Sequence, residues 1–73
     1  MNTPRHNRPP VERLTRREAE VVELLALRLS NKAISAQLGI AVATVRVQCV
    51  NAYETLGVDN RTQAAVAHVR REL

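Results

Sequence analysis

The chain has 73 residues, with 11 lysines and arginines against 7 acidic residues and a net charge of +4. That length allows one domain with a marginal core. The single cysteine, Cys49, excludes a disulfide framework, a CxxC motif and a cysteine-based metal site. No apolar run approaches the roughly 18 residues of a membrane span, and no signal-peptide core is present. A cytoplasmic protein with no membrane partner is expected.

Lys32 is the only lysine, so ten of the 11 basic residues are arginine. Arginine forks phosphate oxygens and guanine edges bidentately, which suits a nucleic-acid partner. A coding bias in a GC-rich genome leaves the same surplus. Tyr53 is the sole aromatic residue, which argues against base-stacking surfaces for single strands.

Residues 1–13 contain all three prolines and no apolar period. They read as a flexible arm made basic by Arg5, His6, Arg8 and Arg13, either a solvated tail or a segment that tracks phosphates. The domain proper is expected over 14–73. A first helix is predicted over 16–28, with Thr15 as N-cap, Glu18 completing a capping box and Leu14 placed as a hydrophobic staple. Val21, Val22, Leu24, Leu25 and Leu29 recur at helical spacing as the inward stripe, and Leu27 falls off it.

Ser30 or Asn31 caps a second helix over 31–38, in which Ile34 and Leu38 share a face. Gly39 ends it in the left-handed conformation, and Ile40 packs beneath the turn. A third helix over about 42–56 starts at Ala41 without a good cap, a deficit of about 1 kcal/mol. Its inward line is Val45, Cys49, Ala52 and Leu56; Gly57 stops it and Val58 folds back on the core. Asp59 or Asn60 caps a fourth helix reaching to about residue 72, with Ala64, Ala65, Ala67 and Val69 as its small apolar side. The result is an all-α domain of four helices. Its second and third helices, joined across a glycine turn, form a helix-turn-helix whose second member can enter a DNA major groove.

These motifs, LTRREAEVVELLA at 14–26, LSNKAISAQLGI at 29–40, TVRVQ at 44–48 and LGVDNRTQAA at 56–65, together resemble the LuxR-type (GerE-like) helix-turn-helix family. The resemblance covers about four-fifths of the chain. It implies a transcriptional regulator whose third helix reads duplex DNA and whose fourth forms a homodimer contact. Carried over by position, it implies DNA contacts at Arg46, Val47, Val50, Thr44, Lys32, Asn31 and Thr62, with capping the first role for Thr62 and Gln63. It places the dimer contact at Ala65, His68 and Val69, and it implies that Arg61 pairs with Glu18 to hold the fourth helix against the first.

Where the family often carries polar or basic residues, this chain has Ala43, Val47 and Val50, and Arg46 is the only cation of the third helix. An alternative role follows: a protein-interaction module that docks this apolar helix on a transcription component such as a sigma factor or another regulator. An enzyme is not expected. Cys49 lies on the inward line and His6 and His68 are distant from it in sequence, so no catalytic, metal or cofactor set is formed. The chain reads either as a stand-alone regulator or as a piece of something longer, and an opening Met1 and the ending Arg-Arg-Glu-Leu favour a complete small protein.

Overall fold

A computed structural model describes residues 10–71. Arg5, His6 and Arg8 of the basic arm lie outside the described residues, as does residue 72. Four α-helices follow one another: α1 (Arg16–Ala26), α2 (Asn31–Leu38), α3 (Val42–Leu56) and α4 (Arg61–Arg71), with no strand among the described residues. Pro10–Arg13, the last residues of the expected arm, form a short 3-10 helix that rests against α3 and α4. Val11 anchors it on the core, and Pro10 brings a φ already suited to a helical turn.

The α1 start is the expected capping box. Glu18 N donates to Thr15 Oγ1 at 3.1 Å, and Thr15 N donates to Glu18 Oε1 at 3.0 Å. The helix stops at Ala26 rather than at 28, because Arg28 adopts a left-handed φ of 68°. Arg28 N then donates to Leu25 O at 2.8 Å and Leu29 N to Leu24 O at 3.2 Å, the paired bonds of a Schellman stop. Leu29 is therefore outside the helix, and it reaches the core as the apolar residue after that stop.

The same device recurs twice. Gly39 (φ 69°) and Gly57 (φ 70°) end α2 and α3, and Ile40 and Val58 follow them onto the core. Ile40 N donates to Ser35 O at 3.2 Å and Val58 N to Tyr53 O at 3.0 Å. Left-handed φ costs a residue with a Cβ roughly 1–2 kcal/mol, which is why glycine suits both positions.

Val21, Val22, Leu24 and Leu25 of α1, Ile34 of α2, the line Val45, Cys49, Ala52 and Leu56 of α3, and Ala64 of α4 form the buried core. Ile34 is the only fully buried residue of α2. The short second helix is thus held by one apolar anchor and by half-buried Leu38.

Candidate nucleic-acid interface

The α2 and α3 axes meet at 107° across Gly39–Ala41, within the range of a helix-turn-helix. Two local bonds set the turn. Ser30 Oγ accepts from Ala33 N at 3.1 Å to start α2, and the Ser35 hydroxyl donates to Ile40 O across the bend. Sequence reasoning did not single out Ser35, and its signal was slight, since a serine inside a helix reads as a neutral surface residue. Ala41 offers α3 no side-chain cap, as expected.

With Val45, Cys49 and Ala52 turned inward, the helical period turns Ala43, Thr44, Arg46, Val47, Val50, Asn51 and Glu54 outward, and all seven are exposed. Val47 and Val50 are 59% and 53% exposed. Arg46, Val47, Val50 and Asn51 surround a shallow depression of about 240 Å³. Arg46, Val47 and Val50 therefore share one exposed surface, and Thr44 is exposed on its other flank, one turn before Val47. Lys32 is exposed at the first turn of α2.

Asn31 has a different setting. Its Oδ1 accepts from Arg61 Nη2, while Arg61 Nη1 donates to Leu29 O at 2.8 Å. The implied pairing of Arg61 with Glu18 is thus replaced. Glu18 is engaged by its own cap at Thr15, and Arg61 forks the α1–α2 connection and the start of α2. Asn60 is the cap of α4, its Oδ1 accepting from Gln63 N at 2.9 Å, and Gln63 Oε1 accepts from Asp59 N at 2.9 Å. Thr62 is exposed on the outer side of α4.

The three residues expected at a dimer contact, spaced i, i+3 and i+4, fall on one side of α4 and differ in burial. At about 100° per residue, His68 lies close to the direction of buried Ala64, and His68 and Ala65 are both half-buried. Val69, about 40° round the helix from Ala65, is 52% exposed. Val66, at 44% exposure, accompanies it on the outer ridge and was missed, although the helical period separates it from Ala64. Beside this ridge runs a groove of about 760 Å³ between α4 and the end of α1, lined by Leu25, Ala26, Arg28, Thr62, Ala65 and Val69 among others.

Cys49 is buried, and burial pushes its thiol pKa up, with Arg61 and a hydrogen bond to Tyr53 acting the other way. Burial likewise raises Tyr53, joined by the neighbouring Cys49. A thiol of this kind is a core residue and a poor nucleophile. No group of three metal-ligating side chains occurs among the described residues, and no single described helix is long and apolar enough to cross a membrane.

The geometry is that of a helix-turn-helix domain. Residues 12–68 match the family described as "Bacterial regulatory proteins, luxR family". The chain is 46% identical over 57 residues to "Spore germination protein GerE" of Bacillus subtilis, covering 78% of this chain and 77% of that protein. It is 43% identical over 63 residues to "Probable transcriptional regulatory protein SgaR" of Hyphomicrobium methylovorum, covering 86% of this chain and 30% of the relative. With "Transcriptional regulatory protein LiaR" of Bacillus subtilis it shares 42% over 67 residues, 92% of this chain and 32% of the relative. It thus spans about a third of the length of the latter two. No solved structure matches it significantly. The chain belongs to the luxR family of bacterial regulatory proteins, a family of regulators and not of enzymes.

Proposed function

We propose that this domain binds duplex DNA as a two-fold homodimer in a cytoplasmic regulator of transcription, with α3 in the major groove. The observation that carries the reading is the outward strip of α3, held at 107° to α2. Arg46 is its one cation and forks a guanine edge or a phosphate. Val47 and Val50 meet thymine methyls, and Thr44 and Lys32 hold the backbone. Asn31 and Thr62 flank this surface; Asn31 is tied to Arg61, so a backbone contact through it uses its amide NH2. On α4 the exposed ridge of Val66 and Val69 is the dimer contact, with Ala65 at its edge and half-buried His68 behind it. Half-sites one helical turn apart follow from two-fold symmetry.

Binding-site selection from random duplexes at two salt concentrations tests the proposal. Arg46→Ala should lose roughly 1–3 kcal/mol of affinity for the selected site. If Arg46 meets a phosphate instead, the salt slope should fall by about 0.9 per protomer. Duplex binding untouched by Arg46→Ala and Thr44→Ala would sink the groove assignment. A second reading rests on the two valines, whose exposure also suits a protein partner on the transcription machinery. Retention of such a partner at high salt, abolished by Val47→Asp, would favour it over DNA.

A further inference from the structure

The caps at Thr15, Ser30 and Asn60 each close within three residues of chain. Arg61 does something else: its two bonds reach 32 and 30 residues back, from the first turn of α4 to Leu29 O and Asn31 Oδ1. Its charge also reaches Cys49 and Tyr53 of α3, where it opposes the rise in pKa caused by burial. One guanidinium therefore stands among the α1–α2 connection, the start of α2, α3 and α4. The element it grips is the shortest of the four, with eight residues and a single fully buried side chain, Ile34. Apolar contact is non-directional, so Ile34 and half-buried Leu38 hold α2 against the core without fixing its direction. A planar fork fixes direction as well as distance, and an ammonium cannot reproduce it.

We infer that Arg61 is a positioning residue that couples α4 to the helix-turn-helix, setting where α2, and the turn leading into α3, stand relative to the dimer helix. This rests on the homodimeric DNA-binding reading for its functional consequence, though not for its structural one. In a dimer through α4, the offset between α4 and each helix-turn-helix sets the distance between the two reading helices. Arg61 thereby sets the tolerated half-site spacing without touching DNA.

Two measurements on Arg61→Lys, which keeps the charge and loses the fork, test the inference. The first needs no DNA. Amide exchange within α2 should accelerate on the order of ten- to a hundred-fold, the range set by loss of charge-assisted hydrogen bonds, while α1 and α3 amides stay as in the wild type. Asn31→Ala should accelerate the same amides, and the double variant should add little to either single change. Unchanged α2 exchange in folded Arg61→Lys overturns the inference, whatever the protein binds.

The second uses two-fold duplexes whose half-site separation is stepped one base pair at a time. The wild type should prefer one separation at least ten-fold, and Arg61→Lys should flatten that preference to two- or three-fold while remaining dimeric. A folded, dimeric Arg61→Lys with wild-type spacing preference overturns the coupling. A wild type that binds no duplex refutes the DNA-binding reading instead, and the exchange result then decides the structural coupling by itself. If Arg61→Lys fails to fold, Asn31→Ala carries both measurements with the same expected outcomes.

Discussion

Arg28 occupies a position that the other two helix stops give to glycine. Its φ of 68° matches the 69° and 70° of Gly39 and Gly57, and the left-handed region costs a residue with a Cβ roughly 1–2 kcal/mol. Arg28→Gly removes that strain, yet it also frees the unfolded chain, which takes back about 0.5–1 kcal/mol, and it deletes a cation near the α1 C-terminus. Arg28→Ala deletes the same cation and keeps the strain. The informative quantity is therefore the difference between the two variants, expected at about 1 kcal/mol in favour of glycine. For a domain of this size that is a gap of about 4–8 °C in Tm.

The reciprocal changes, Gly39→Ala and Gly57→Ala, should each destabilise by about 1 kcal/mol. A Cβ at either position meets nothing within 4 Å, so the loss is entirely one of backbone conformation. Thermal and urea unfolding of the four variants read all of this, with unchanged m-values certifying that native and unfolded states are comparable. An Arg28→Ala protein as stable as Arg28→Gly would refute the argument, because it would mean that the left-handed turn at Arg28 costs no more than the roughly 0.5–1 kcal/mol that glycine loses to the unfolded chain.

Other outcomes follow from the same structure. Ala41→Ser supplies α3 with the cap it lacks and should raise stability by about 1 kcal/mol in denaturant melts, without altering the exposed face. Ile34→Ala removes the one fully buried side chain of α2, at about 2–5 kcal/mol; far-UV circular dichroism should show partial or complete loss of helix at room temperature. Cys49 and Tyr53 both have raised pKa values when folded. Each binds its proton more tightly in the native state, so its contribution is complete below the ordinary values of 9.0 and 10.0. It is lost as pH rises through the raised values. Stability measured by denaturant titration should be insensitive to these two groups near neutrality and fall in the alkaline range, and a thiol reagent at neutral pH should label Cys49 only as fast as the domain opens.

The parts of this protein written in the sequence are those governed by short-range chemistry. The Thr15–Glu18 box, the stops at Gly39 and Gly57 and the inward line Val45, Cys49, Ala52 and Leu56 depend on residues within a few positions of one another, and helical period alone places them. The class of the protein was legible for the same reason: its motifs are the local signatures of helix starts and stops. Period also separates Val66 from Ala64, so its exposure beside Val69 was available to sequence reasoning, which named Val69 and passed over Val66.

Packing decided the rest. The true end of α1 depended on Arg28 accepting a conformation that its side chain disfavours, because Leu29 gains a place in the core by it. The partner of Arg61 could not be read from spacing, since Glu18 and Asn31 are both chemically able to hold a guanidinium. Only the fold brings Leu29 O and Asn31 Oδ1 to the same fork while Thr15 occupies Glu18. A bond across about thirty residues is specified by where four helices come to rest, and that is a property of the assembled core rather than of any segment in it.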